Sequence, residues 1–344
     1  MKNKKTESEM FFSLTWEFLN EYMPKRLCRS AATIESYTDS LTLFRRFLLD
    51  SKNISLAEFK FSDCTRDCIF DFRMHLQENG NGPSTVNVRT TAIKTYLKFA
   101  ADKNVALESI ALSIAKMQKC KTVQKEILIL SKEALEAILS APPNTKLGLR
   151  DRTMMTLLYD SAIRLDELLS IKLKDVTIDN IEFPCVLLHG KGNKERRVVI
   201  TDRTVGHIKE YLSVFHSTGA TPEDYLFYTT IKGKTDKMSH GNVQRLISQH
   251  ADAARVACSD IPNQVHPHML RRTRSTNLYQ DGIAIELISV ILGHANVETT
   301  KKHYAKPSIE QMRDAMESDQ SFSIDEKPLW KGNEEEMARL CGLR

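Results

Sequence analysis

The chain has 344 residues and a mass of 39.2 kDa, of which 41% are hydrophobic and 27% charged. That is enough apolar material for more than one core, and it excludes a wholly disordered chain. Thirteen glycines and ten prolines exclude a collagenous or loop-dominated chain, and no apolar run approaches the roughly 18 residues that span a bilayer. The stretch Met1–Met10 is polar, with no apolar signal core, so the expected location is cytoplasmic. Seven scattered cysteines, with Cys64 and Cys68 as the nearest pair, predict reduced thiols rather than a disulfide framework. The net charge of +5 is unevenly spread. From Ser308 onward there are five basic and nine acidic residues, so a tail of net −4 follows a body of net +9. Such a body suits a polyanion, and such a tail suits a protein surface.

The first elements read as helices. Ile34, Tyr37, Leu41, Phe44 and Leu48 follow at three- and four-residue steps and make one apolar face. A second helix is expected over about 65–78, carrying Ile69, Phe72 and Leu76, and Gly80-Asn81-Gly82-Pro83 ends it. Ser84 reads as the N-cap of a third helix running to about Ala101. On that helix Arg89 and the i,i+4 pair Lys94 and Lys98 are candidates for phosphate contact, and an ordinary solvated face accounts for the charges equally well. Residues 109–130, punctuated by Lys116, Lys119, Lys121 and Lys125, read as a basic linker, helical in part. Ser131 caps the next helix, whose face is Leu135, Ile138 and Leu139 and which Pro142-Pro143 stops. A helix over about 149–159 and a short amphipathic one over 164–171 follow. Val186-Leu187-Leu188 and Arg197-Val198-Val199-Ile200 flank His189-Gly190-Lys191-Gly192-Asn193, which predicts a β-hairpin. The remainder is expected to be helical to about Met316.

Four clusters carry chemistry. Arg164 and Glu167 are i,i+3 neighbours, so the carboxylate can hold the guanidinium. The Gly190-to-Arg196 turn lets a polyanion approach closely and offers Lys191, Lys194 and Arg196 to it. His268 and Arg271 share one helix face, and an oxyanion between them gives that spacing a purpose. Leu292-Gly293-His294 is followed by Tyr304. Each cluster alone has a bland explanation; their order together does not.

Taken in order, Tyr159 to Leu169, Gly190-Lys191-Gly192, Pro267-His268-Met269-Leu270-Arg271, Leu292-Gly293-His294 and Tyr304 resemble the tyrosine recombinase (phage integrase) family. The resemblance covers about 131–309 and, more weakly, the N-terminal helices. It implies a mainly α fold with a small β-hairpin sheet, in which two domains form a C-shaped clamp on DNA. An N-terminal helical, SAM-like core-binding domain would occupy 1–108, the linker 109–130, the catalytic domain 131–320, and a tail exchanged between protomers 321–344. It further implies that Arg164 and Arg271 bind the scissile phosphate and that Lys191 is the general acid. His268 and His294 would assist proton transfer or bind phosphate, Tyr304 would be the nucleophile, and Glu167 would support Arg164. Lys194 and Arg196, with Arg89, Lys94 and Lys98, would contact DNA. The implied activity is site-specific cleavage and rejoining of double-stranded DNA through a 3′-phosphotyrosine, without metal, ATP or other cofactor. The implied partners are a homotetramer on two sites and an accessory DNA-bending or directionality factor, in the nucleoid and with no membrane. Integration or excision of a mobile element is expected, with chromosome-dimer resolution as the other setting.

The chain departs from the family pattern in three places. Ala162 stands where Gly is common, Arg272 where His is frequent, and the interval from His294 to Tyr304 is one residue longer than in many members. Two other functions stay open: a type IB topoisomerase-like relaxing enzyme and a catalytically silent DNA-binding protein. A zinc site on His266, His268, His294 and His303 is the rival chemistry, disfavoured by Arg271 and by the missing Cys or carboxylate ligands.

Overall fold

Helices dominate the computed structural model, and two small antiparallel sheets accompany them. It describes residues 9–122, 128–179, 181–190, 194–216, 219–294, 296–304, 307, 311–313, 316 and 333–343, without the side chains of 194 and 303. Two units divide the chain, 1–125 and 126–344. Among the described residues no helix is long and apolar enough to cross a membrane.

The first unit opens with a 3-10 turn, Phe11–Leu14, that leads into a π-helix, Phe18–Arg26. Four α-helices follow: α1 (Ala31–Lys52), α2 (Arg66–Glu78), α3 (Pro83–Lys103) and α4 (Glu108–Ala115). The expected face of α1 is the one that packs, with Leu41, Phe44 and Leu48 buried and Ile34 and Tyr37 against the core edge. Phe11 sits at the centre, its ring 5.1–5.5 Å from those of Phe44, Phe59, Phe61 and Tyr96. Each ring so removed from water contributes roughly 1.5–3 kcal/mol. Thr65 caps α2 by accepting from the Cys68 amide. The start of α3 differs: Gly82 is the N-cap and Pro83 the first helical residue, not Ser84. Proline is pre-set for that position because its φ is helical and the missing N–H would be unbonded there anyway. The stretch read as linker begins with α4, and Ile114 and Met117 are buried in this core.

In the second unit Ser131 caps α5 (Lys132–Ser140), accepting from the Ala134 amide at 3.1 Å. Helix α6 (Lys146–Asp160) begins a turn earlier than its apolar pattern suggests, because Thr145 caps it through the Gly148 amide. Gly148 is required there, since a Cβ would lie 1.9 Å from the Pro143 carbonyl oxygen. After α7 (Leu165–Ser170) come strands β1 (Val176–Thr177), β2 (Cys185–Gly190) and β3 (Lys194–Val199), in spatial order 1-2-3 and antiparallel. The expected hairpin is β2–β3, with His189 opposite Glu195 and Gly190 opposite Lys194.

Helix α8 (Asp202–Phe215) follows, and then the expectation of unbroken helix fails. A second hairpin, β4 (Tyr228–Ile231) with β5 (Lys234–Lys237), turns at Lys232-Gly233, both at positive φ. Two residues of positive φ between β-rich runs are what a tight hairpin needs. Helices α9 (His240–Ala254), α10 (Pro267–Gln280), α11 (Ile285–Leu292), α12 (Val297–Tyr304) and α13 (Glu334–Leu340) complete the described chain. One apolar core joins α5 and α6 to the sheet, α8, α9 and the start of α10; Ala162, Ile288, Leu292 and Tyr304 form a smaller cluster.

Candidate active site

The site is assembled from helix ends. Arg164 is the N-cap of α7, in extended conformation, and Glu167 three residues on returns to accept its backbone N–H at 2.8 Å. The same carboxylate accepts from Arg164 Nη1 at 3.1 Å, so the expected i,i+3 pair is present. Just before it, Ala162 holds a φ of +50°, the left-handed region where glycine is common. The Ala162 methyl packs among Ile288, Leu292 and Tyr304, and its carbonyl accepts from Arg271 Nη1 at 2.6 Å.

Arg271, on α10, is 1% exposed. Its Nη2 donates to the Leu292 carbonyl at 2.8 Å and lies 3.1 Å from His294 Nε2. Its Nε is buried and has no hydrogen-bond partner among the described residues. Burial and the neighbouring Arg164 charge lower the Arg271 pKa to about 10, against the hydrogen bond and charge of Tyr304 and the charge of Glu167. The guanidinium stays charged at neutral pH, and its orphaned N–H suits an added oxygen acceptor.

Gly293 ends α11 in the left-handed conformation, with φ +62°. A Cβ there would also lie 2.8 Å from the Arg196 guanidinium carbon, so no other residue fits without displacement. The turn aims His294 at Arg271. Because a guanidinium only donates, Nε2 accepts, and the ring proton is on Nδ1, 2.8 Å from the Thr300 hydroxyl. The Tyr304 ring lies 6.0 Å from that of His294, 18° from parallel, and Tyr304 is buried. Thr300 and Tyr304 are i,i+4 on α12, so one helix face carries both the support of His294 and the expected nucleophile.

His268, in the first turn of α10, sits among cations. Partial burial of the ring, then Arg272, Arg271, His266 and Arg164, lower its pKa to about 4, although the residue as a whole is exposed, so the surrounding positive charge is the firmer cause. The four positive or imidazole neighbours fix the direction, and the ring is neutral at pH 7. His266 stacks on it, 6.4 Å between centroids at 12°.

Arg196 corrects an expectation. Expected to contact DNA from the turn, it is instead engaged within the unit: Nη1 and Nη2 each donate to a Glu167 oxygen at 2.8 Å, and Nε donates to the Ile291 carbonyl at 3.2 Å. The alternation of β3 signals this, because Arg196, Val198 and Ile200 share its inward face. Burial opposes ionisation of Glu167, but Arg196, the Arg164 N–H and both positive charges outweigh it and hold the carboxyl near 2. Thr300 was not legible as a site residue; its only signal is the four-residue step to Tyr304.

Lys191 lies outside the described residues, as do Gly192 and Asn193 of its turn; Gly190 and the backbone of Lys194 form the last pair of the hairpin that carries it. In the first unit, Lys94 is drawn inward rather than offered to phosphate, its ammonium donating to the Ala115 and Met117 carbonyls at 3.1 and 2.6 Å. Arg89 Nη1 likewise donates to the Ser36 carbonyl and the Ser40 hydroxyl, both at 3.2 Å. Of the three candidates on α3, Lys98 stands exposed.

Two guanidinium groups thus bracket one carboxylate, and a third, that of Arg271, lies nearby with a neutral imidazole, a second imidazole and a tyrosine. That surplus of positive charge suits a phosphodiester and, more strongly, the doubly charged state reached as a nucleophile adds to it. Comparison with known proteins agrees. The phage integrase family model matches residues 129–311 and the phage integrase SAM-like domain matches 10–116. Tyrosine recombinase XerC of Staphylococcus epidermidis is 28% identical over 285 residues, 83% of this chain and 89% of its own. Tyrosine recombinase XerA of Thermococcus kodakarensis is 30% identical over 246 residues, 72% and 79% respectively. Among solved structures, the Tn1549 transposon integrase in complex with a circular intermediate DNA superposes with a TM-score of 0.66 at 15% identity, over 88% of this chain and 98% of that one. A family model matching more than half the chain, over the residues that build this site, makes the protein a member of the phage integrase family, a tyrosine recombinase.

Proposed function

We propose that the protein cleaves and rejoins specific double-stranded DNA sites through a covalent 3′-phosphotyrosine on Tyr304. The observation that carries this reading is the placement of Tyr304 against the buried Arg271 and His294. Arg164 and Arg271 hold the non-bridging oxygens of the scissile phosphate. The Tyr304 oxygen attacks phosphorus and gives its proton to the neutral His268 imidazole, directly or through water. The bond from phosphorus to the 5′-oxygen breaks, and Lys191 protonates the departing oxygen. The phosphodiester energy is conserved in the new ester, so a 5′-hydroxyl from a second duplex reverses the step without ATP. Glu167 and Arg196 hold Arg164 and the α11 turn in place. His294, fixed by Thr300, orders Arg271.

The working unit in this reading is a tetramer on two sites, assisted by a DNA-bending or directionality factor. The tail of about 327–344 docks on a neighbouring protomer; the 65–68% exposure of Leu340 and Leu343 on and after α13 supports this. The biological setting is integration or excision of a mobile element, with chromosome-dimer resolution as the alternative. The direct test is a nicked suicide duplex: wild type forms a covalent adduct, and Tyr304→Phe forms none while binding the same DNA. Adduct formation by Tyr304→Phe refutes the nucleophile. A two-site plasmid that is relaxed but never recombined refutes the exchange reaction.

A further inference from the structure

The described pairing of the β2–β3 hairpin ends at Gly190 and Lys194, and Lys191 follows Gly190 in the chain, so whatever holds these last pairs bears on Lys191. At the pair before them lies a cluster with no part in the chemistry above. His189 Nε2 is 3.1 Å from Asp175 Oδ1, and its Nδ1 is 3.1 Å from Glu195 Oε1. Glu195 is its cross-strand partner on β3. Asp175 is a fixed post: it is 2% exposed, and its other oxygen accepts the Lys172 amide at 2.9 Å. The 3-10 turn of Asp175, Leu173–Asp175, is pinned in turn by the Leu173 and Lys174 amides on the carbonyls of Asp224 and Pro222.

We infer that His189 is a positioning residue for Lys191, clamping the base of its turn between the buried Asp175 post and Glu195. The inference rests on the assignment of Lys191 as general acid. Ionised carboxylates only accept, so a ring bonded to one through each nitrogen donates from both and is an imidazolium. The hydrogen bond to Asp175 first, then the two negative charges, raise its pKa accordingly. Both bonds are therefore charge-assisted and roughly twice as strong as neutral ones. One reaches across the hairpin and the other ties it to the body of the unit. Lys191 is two residues away, so loosening the clamp moves its ammonium relative to the 5′-oxygen, and a displacement near 1 Å costs about a hundredfold in rate.

The test uses the full chain in single-turnover cleavage of a suicide duplex, with either a normal phosphate or a 5′-bridging phosphorothioate at the scissile position. Sulfur leaves without protonation, so it bypasses the acid. His189→Gln, which keeps a donor but no charge, is expected to lose roughly ten- to a hundredfold on normal DNA and to recover near wild-type rate on the sulfur substrate, as Lys191→Ala does. Wild-type rate on normal DNA overturns the inference. So does an equal loss on both substrates when Lys191→Ala is rescued, since His189 would then support the unit in general. Lys191→Ala equally defective on both substrates refutes the acid itself and the inference with it. Should His189→Gln fail to fold, Glu195→Gln, altering an exposed side chain, decides: a smaller loss confined to normal DNA is expected, and no loss overturns the clamp.

Discussion

Replacing Glu167 by Gln removes a charge and almost no volume. In the native chain that carboxylate takes four hydrogen bonds, from the Arg164 amide, Arg164 Nη1 and both terminal nitrogens of Arg196. Its pKa is held near 2 against an ordinary 4.5, a depression that at 1.36 kcal/mol per unit corresponds to about 3 kcal/mol. The side chain is only 7% exposed, so little of this is lost to solvent screening. Because the folded pKa lies below the unfolded one, this stability is fully present above the unfolded value near 4.5 and is lost as pH falls toward 2. Glu167→Gln should therefore be less stable than wild type by about 3 kcal/mol at pH 7, with the gap closing as pH drops through that window. Urea denaturation at a series of pH values, followed by circular dichroism, measures both. A gap under about 1 kcal/mol at pH 7, or one unchanged between pH 7 and pH 3, would refute the reasoning. Adduct formation should fall as well, because Arg164 and Arg196 lose the group that orients them.

Other expectations follow from single contacts. Ala162→Gly relieves a left-handed alanine, worth about 1–2 kcal/mol, but gives up a methyl buried among Ile288, Leu292 and Tyr304 and adds backbone freedom to the unfolded chain, each worth about 0.8 kcal/mol. Stability should thus stay within about 1 kcal/mol of wild type on denaturation, and a larger shift would show the turn is held otherwise. Thr300→Val keeps shape but removes the hydroxyl that fixes His294, so adduct formation should fall about tenfold with gel-shift affinity unchanged; parallel loss of binding would count against the assignment. Deleting residues after Asp325 should preserve single-site binding and impair recombination between two sites, and wild-type recombination by the truncated chain would exclude the exchange role.

Much of this protein is written locally. The helix cap at Ser131, the face of α1 and the β2–β3 hairpin follow from side-chain spacing and capping chemistry within a few residues. The order Arg164, Lys191, His268, Arg271, His294, Tyr304 carries the family for the same reason: each motif is a short segment whose residue types are set by one reaction. Whether a charged side chain faces solvent or a partner is not local. Arg196 reads as one more cation of a basic turn until Glu167, 29 residues away, takes both of its terminal nitrogens. Lys94 reads as a phosphate contact until the chain returns and lays two carbonyls over it. Thr300 gains meaning only where the α11 turn brings His294 to it, and β4–β5 escaped notice because its polar strands bury little. Short-range geometry sets backbone conformation; partners for buried charge are chosen by tertiary contact, because an unpaired charge costs so much out of water that the fold, not the segment, must supply its counterpart.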